Sequence, residues 1–132
     1  MIGLHRMARR WVTGWKLDQA DRKRLLALFP PLFPNVVADH VTLHTGTSDT
    51  TTLPKERTGE VVGGIDDGRG VQALVVSIGG TTARADGSTY HITWSLDQAA
   101  GRRAVESNHV IAELGWRALP EPVPIRLNPG RF

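Results

Sequence analysis

The chain has 132 residues, enough for one compact domain with a hydrophobic core and too few for two ordinary domains. Its formal net charge is +3 and arginine outnumbers lysine, which favours anionic ligands, but the excess is too small to indicate a polynucleotide-binding protein. Cysteine is absent and no apolar run approaches the roughly 20 residues of a transmembrane helix, which excludes disulfides and thiolate metal sites and favours a soluble, cytoplasmic protein.

The first half of the chain is predicted to contain a strand, a helix, a second strand and a loop. Asp18, with Asp21 three residues later, is typical of a helix start, and Pro30 and Pro31 must end that helix. The loop is rich in Thr, Ser, Pro and charge, and its length is typical of functional loops. In chain order these four elements cover residues 11–17, 19–28, 36–43 and 45–57.

Turn signals divide the second half into short segments. The run Asp66-Asp67-Gly68-Arg69-Gly70 separates two β-branched stretches and predicts a hairpin, and Asp86-Gly87 leads into a third strand. Gly115 is expected to end a helix. The predicted strands are 59–65, 71–78, 88–96 and, broken by prolines, 116–119 and 123–127, and the helix is 106–114.

Tight turns join most of the predicted strands, which favours an α+β fold with antiparallel sheet over a doubly wound parallel fold. We predict one domain that covers residues 1–132, with residues 1–8 as a poorly ordered or extended N-terminus.

Two similar tetrapeptides stand in predicted strands, His40-Val41-Thr42-Leu43 and His91-Ile92-Thr93-Trp94. Strand side chains alternate between faces, so each motif presents an imidazole and a hydroxyl roughly 6 to 7 Å apart on one face. The hydrophobic residues then point to the core. The polar faces are predicted to carry His40, Thr42 and His44 in the first strand and His91, Thr93 and Ser95 in the second.

These residue types suit the hydrolysis of a cyclic phosphodiester. Imidazole titrates near neutral pH, so one histidine can take a proton from water while the other protonates the departing ribose oxygen. Two threonine hydroxyls can stabilise the charge that develops on the phosphoryl oxygens. The scheme requires no metal and no other cofactor, because substrate positioning and proton transfer lower the activation barrier of hydrolysis.

The paired motifs resemble those of the 2H phosphoesterase superfamily, which includes RNA ligase-like 2′,3′-cyclic phosphodiesterases and cyclic phosphodiesterase domains of RNA repair enzymes. The residues before each motif, 33–36 and 87–90, are similar to those of the small stand-alone or repair-linked branch. The resemblance implies two small antiparallel sheets that form a concave bilobal cleft, with about two helices packed outside. It also implies that His40 and His91 act as acid and base and that Thr42 and Thr93 hold the phosphate.

Four further residues are candidates for lining such a cleft. Strand alternation predicts that His44 lies on the same face as His40 and Thr42, and that Ser95 lies on the same face as His91 and Thr93. Tyr90 is expected to pack, with base stacking at the cleft rim as the alternative, and Arg84 could approach a phosphate. No metal site is predicted, since the β-branched surroundings of His40 and His44 disfavour a helical zinc pair.

The leading hypothesis is a monomeric enzyme that opens 2′,3′-cyclic phosphates on RNA ends or nucleotides during RNA repair or RNA-end processing, without membrane contact. A second hypothesis keeps the site but replaces the substrate by a cyclic oligonucleotide signal, with residues 45–57 as a lid. A third is a non-catalytic module that binds nucleotides or RNA in the same cleft.

Overall fold

Seven antiparallel strands and two α-helices make up the computed structural model, which describes residues 9–132. The predicted N-terminal tail, residues 1–8, lies outside the described residues. The α+β class and the antiparallel sheet are confirmed. The strands are β1 (Trp11–Leu17), β2 (Asn35–Val36), β3 (His40–Thr47), β4 (Thr58–Asp66), β5 (Val71–Ser77), β6 (His91–Leu96) and β7 (Arg117–Arg131), and the helices are α1 (Gln19–Leu28) and α2 (Glu106–Leu114), with a 3₁₀ turn at Gln98–Ala100.

All seven strands belong to one sheet, in the order β2-β6-β5-β4-β7-β1-β3, and not to the two small sheets that the resemblance implied. The cause is β7, whose first part pairs with β4 and whose last part pairs with β1. Because one strand continues through both pairings, it joins what would otherwise be two separate sheets. The expected bilobal, two-sheet arrangement is therefore corrected to a single sheet.

The length of β7 also corrects the prediction of two short final strands broken by prolines. The backbone N–H of Arg126 points away from β4 and donates to the carboxylate of Asp21. Because residues two apart in a strand direct their N–H groups to the same side, position 124 also faces away from β4, and Pro124 costs the ladder to β4 no hydrogen bond. Pro120 and Pro122 lie where the register between β4 and β7 shifts, in an irregular part of the ladder. These three prolines thus occupy positions where the ladder to β4 needs no donor.

Helix α1 begins and ends where the sequence predicted. The Asp18 side chain accepts a hydrogen bond from the N–H of Asp21, and the Phe29 N–H closes the last turn on the carbonyl of Leu25. Leu25 is fully buried, which places one side of α1 on the main core. Neither α1 nor α2 is long and apolar enough to cross a lipid bilayer.

The sheet is covered on both faces in its central part. On one face Trp15, Ile92 and Trp94 belong to the main hydrophobic core. On the other face Ile111 of α2 packs against alternate residues of β5. Strand β6 is consequently buried throughout and β5 is buried except at Ser77, and α2 lies over the face of β6 that carries Thr93.

The sheet curls because the chain crosses from one of its ends to the other between β2 and β3. The N–H of Ala38 bonds to the carbonyl of Thr93 in β6, whereas the carbonyl of the next residue, Asp39, accepts from Leu17 in β1. Ala38 has a left-handed backbone with φ 46°, which permits this change of partner. The predicted strand 36–43 is therefore interrupted, and β3 instead extends to Thr47, which shortens the predicted loop 45–57.

Candidate functional site

A cleft of about 640 Å³ opens between β3, β6, the turn before β6 and the start of α2. Although β3 ends the sheet and β6 lies next to its other end, the curl brings both strands to this cleft. All four motif residues line it, namely His40, Thr42, His91 and Thr93. The remaining lining includes the apolar Val37, Leu43 and Val105 and the polar Arg84, Asp86, Ser88 and Asn108.

The first motif owes its orientation to alternation along β3. Val41 is fully buried in the main core, so its neighbours His40 and Thr42 face the cleft. Gly14 in β1 pairs with Thr42, and a Cβ at Gly14 would lie only 2.2 Å from the carbonyl oxygen of Val41. The close approach of β1 and β3 therefore depends on glycine.

The His40 ring is held by a carboxylate. Its Nδ1 lies 3.0 Å from Oδ2 of Asp39, and Nζ of Lys16 binds the same oxygen. The ring of Phe132 contacts the imidazole edge-on at 4.8 Å between centroids. Burial lowers the pKa of His40, and the bond to Asp39 opposes that effect only in part.

The second motif lies on a strand that is buried on both faces. Ile92 and Trp94 have no exposed area, and the indole of Trp94 donates to the carbonyl of Phe29. His91 and Thr93 consequently face α2 and the inner wall of the cleft. Trp94 thus faces the core, as the strand alternation predicted.

The His91 ring has a neutral partner. Its Nδ1 lies 2.8 Å from the carbonyl oxygen of Thr89, which fixes the proton of the neutral ring on Nδ1. Burial lowers the pKa of His91, the Thr89 carbonyl opposes this, and the positive charges of Arg84 and His40 lower it further. In both histidines Nε2 makes no hydrogen bond within residues 9–132, so it is free to meet a ligand in the cleft.

The Thr93 hydroxyl is bound on the side of α2. It lies 2.9 Å from Oγ of Ser107, and it donates a longer bond of 3.3 Å to the carbonyl of Ala104. Ser107 is fully buried. Ser107 lies outside both motifs, and only the packing of α2 on β6 identifies it as the partner of Thr93.

Arg84 is a buried cation at the wall of the cleft, with 8% of its surface exposed. It donates to the side chains of Ser88 and Asn108 at 2.7 Å each and to the carbonyl of Thr42 at 3.3 Å. The guanidinium therefore connects the turn before β6, helix α2 and the first motif. Arg84 lies next to both motifs and has a structural role, and its approach to a phosphate stays a prediction.

The other three candidates divide between cleft and core. His44 lines the mouth of the cleft and is exposed. Tyr90 packs edge-on against Trp15 in the main core, so it cannot stack a base at the rim. Ser95 is fully buried and donates to Oε1 of Gln72 at 2.6 Å. Neither Tyr90 nor Ser95 lines the cleft. Tyr90 packs in the core, as expected from its alternation with His91. Ser95 follows a register shift in the ladder between β5 and β6 and accepts from the N–H of Phe33, so it does not share the environment of His91 and Thr93 as predicted.

Asp86 and Asn108 also line the cleft, and the sequence did not indicate Asp86 as ligand-binding. Hydrogen bonds from the hydroxyl and N–H of Ser88 lower the pKa of Asp86 to about 2, so this carboxylate is ionised at neutral pH. It lies 3.4 Å from Nε of Arg84 and offsets part of that positive charge. In the sequence, Asp86-Gly87 indicated only a turn before a strand, since the contacts of this segment depend on a helix about 20 residues later.

The cleft thus combines two imidazoles with free Nε2 atoms, two threonines and a guanidinium, a set that can transfer protons and stabilise an anion. Within residues 9–132 no group of three or more His, Cys, Asp and Glu side chains is arranged to hold a metal ion. A scan against models of protein families, a search of curated proteins and a search of solved structures each found no match for this chain.

Proposed function

We propose that this chain is a metal-independent phosphodiesterase of the 2H type that hydrolyses 2′,3′-cyclic phosphates on RNA ends or nucleotides. The observation that carries the proposal is that two histidine–threonine pairs, 51 positions apart in the sequence, line one cleft with both Nδ1 atoms occupied. Solvation of an exposed strand face does not explain that arrangement. RNA repair or RNA-end processing is the process in which such an activity is expected.

The proposed reaction is the addition of water across one P–O bond. One Nε2 takes a proton from water as its oxygen bonds to phosphorus, and the other imidazolium donates a proton to the ribose oxygen as that P–O bond breaks. The products are a phosphomonoester and a free ribose hydroxyl. The two rings end with exchanged protonation states, and solvent restores them.

The hydroxyls and Arg84 supply the stabilisation of charge in this scheme. When Ser107 donates to Oγ1 of Thr93, the Thr93 proton can turn from Ala104 to a phosphoryl oxygen. Thr42 faces the same space from the opposite wall. Arg84 adds a fixed positive charge, which a planar guanidinium provides in a form suited to phosphate oxygens.

The dimensions of the cleft fit a substrate of nucleotide size. Its volume of about 640 Å³ lies in the range usual for small-molecule sites, roughly 300 to 1,000 Å³. Apolar side chains of Val37, Leu43 and Val105 line it beside the polar groups, so a base or ribose face has surface to contact. A longer RNA would have to leave through the open mouth near His44.

A metal-free assay tests the proposal. Purified protein in EDTA is given each 2′,3′-cyclic nucleoside monophosphate and a short RNA with a cyclic phosphate end. We expect turnover that falls at least roughly 10²-fold in His40→Ala and in His91→Ala, from the usual size of acid–base catalysis. The matched control is His109→Ala, an exposed histidine of α2 outside this cleft, which should keep full activity.

Other outcomes assign the cleft differently. Full activity in both motif variants would refute the assignment of the site. Turnover restricted to cyclic oligonucleotides would favour the signal-cleaving alternative, and nucleotide binding without any turnover would favour the non-catalytic binding module.

A further inference from the structure

The two histidines of the cleft differ in what their Nδ1 atoms contact. Nδ1 of His40 faces a carboxylate oxygen of Asp39 at 3.0 Å, whereas Nδ1 of His91 faces the carbonyl oxygen of Thr89 at 2.8 Å. Both contacts orient the ring and expose Nε2. Only the first places a full negative charge beside the ring, so the environment favours an imidazolium at His40 over one at His91.

We infer that Asp39, held in place by Lys16, is a positioning residue that makes His40 the proton donor of the cleft and leaves His91 as the proton acceptor. The inference rests on the proposed function and adds to it a division of roles. In the hydrolytic step Nε2 of His91 takes the proton of water, and Nε2–H of His40 gives its proton to the departing ribose oxygen.

The carboxylate of Asp39 is fixed from several sides. Its backbone carbonyl accepts from Leu17 at the crossing between the sheet ends, and its Oδ2 accepts from Lys16. Lys16 pairs with His40 across β1 and β3, and its ammonium lies 4.5 Å from the centre of the Phe132 ring. Burial raises the pKa of Asp39, but the hydrogen bonds from Lys16 and His40 outweigh it and keep the group ionised at neutral pH.

The remaining charges act on both rings: Lys16 disfavours an imidazolium at His40, and Arg84 disfavours one at His91. His40 faces Asp39, Lys16 and, across the cleft, His91. His91 faces Arg84 and His40, which are both cationic when charged, and within residues 9–132 it has no carboxylate partner. His91 is also buried, whereas His40 is partly exposed, so an imidazolium at His91 loses more hydration.

Ring-nitrogen NMR tests the inference without any substrate. Long-range ¹H–¹⁵N spectra recorded across pH 4 to 9 should show His40 protonating at higher pH than His91, with both neutral rings carrying the proton on Nδ1. Asp39→Asn keeps the shape but removes the charge, and it should lower the titration midpoint of His40 by about one unit or more. Lys16→Met removes a competing cation and should raise that midpoint.

The two substitutions should shift the titration midpoint of His40 in opposite directions. General damage to the fold would not do this, so the result separates a positioning role from such damage. Asp49→Asn, which neutralises an exposed carboxylate in the loop after β3, is the matched control and should leave the midpoint of His40 unchanged. If His40 titrates below His91, or if both substitutions move it in the same direction, the role given to Asp39 is overturned.

Kinetics then connect the role to the reaction. In Asp39→Asn the alkaline limb of kcat should shift to lower pH, with kcat near pH 8 reduced about tenfold for a shift of one unit and with KM little changed. An unshifted limb would contradict the assignment of His40 as donor. If no cyclic phosphate is hydrolysed while the titrations behave as expected, the proposed function fails and the positioning of His40 by Asp39 is supported.

Discussion

The hydroxyl of Thr93 decides, at the scale of single residues, whether the second motif can hold a phosphate. It is almost fully buried, and its proton has two uses, a 3.3 Å bond to the Ala104 carbonyl or a bond to a ligand. Ser107 Oγ lies 2.9 Å away and can donate to the Thr93 oxygen, which leaves the Thr93 proton free to turn. The motif threonine therefore acts together with a serine that the motif does not contain.

Thr93→Val keeps the shape of the side chain and removes the donor. We expect kcat to fall roughly 10²-fold, the usual loss when one preorganised donor to a developing oxyanion is removed. Ser107→Ala should give a smaller loss, because the Thr93 hydroxyl remains. Steady-state kinetics with a cyclic nucleotide measure both, and Thr58→Val, an exposed threonine of β4, is the control. Equal kcat in Thr93→Val and the unsubstituted protein would exclude Thr93 as a phosphate ligand.

Among the secondary-structure elements, those with local signals were predictable. The bounds of β1, α1 and α2 match residues 11–17, 19–28 and 106–114, because caps, prolines and alternation act over a few residues. The long β7 and the crossing at Ala38 were not predicted. Both depend on which distant strand lies alongside. The prolines are tolerated in β7 only because no backbone N–H is needed at their positions to bond to β4.

The contact between β1 and β3 gives a prediction at this scale. Gly14→Ala would place a Cβ 2.2 Å from the Val41 carbonyl oxygen and 3.0 Å from the Leu43 backbone nitrogen, so β3 itself would have to move. We expect the free energy of unfolding to fall by at least about 2 kcal/mol, with a loss of activity because β3 carries the first motif.

The control for this substitution is Gly130→Ala. Gly130 is the direct partner of Gly14 in the ladder between β1 and β7, but a Cβ there would have no atom of residues 9–132 nearer than 4.0 Å. Its effect should stay within roughly 0.5 kcal/mol. Urea unfolding midpoints compare the two variants, and equal midpoints would mean that the close approach of β1 and β3 is not required.

For the molecule as a whole, the central fact is that a single curled sheet brings its two ends to one cleft. The sequence predicted which four motif side chains face the cleft, since alternation is a local rule. It predicted neither the single sheet nor the contacts of Arg84, because these arise from elements far apart in the chain. Tyr90 packs in the core as expected, whereas Ser95 was predicted to share the face of His91 and Thr93 because the sequence does not reveal the register shift between β5 and β6.

The histidines of the cleft also influence the stability of the whole fold. Burial lowers the pKa of both His40 and His91 below the ordinary value of 6.5, so between that value and their folded values the unfolded chain binds more protons. The free energy of unfolding should therefore be highest above about pH 6.5 and fall as the pH drops through the lowered values. Asp86, with a pKa of about 2, contributes stability that is lost only in far more acidic solution.

Urea unfolding at pH 7, 6 and 5 measures this dependence. The double variant His40→Gln, His91→Gln should show a flatter dependence on pH over that range, because the groups that protonate preferentially in the unfolded state are gone. His109→Gln removes an exposed histidine outside the cleft and should keep the original slope. A double variant with the original slope, or a protein that gains stability from pH 7 to 5, would show that burial of these two imidazoles does not govern the pH response. The same burial disfavours a charge on both rings, so under the proposed function the carboxylate of Asp39 is the contact that would favour a protonated His40.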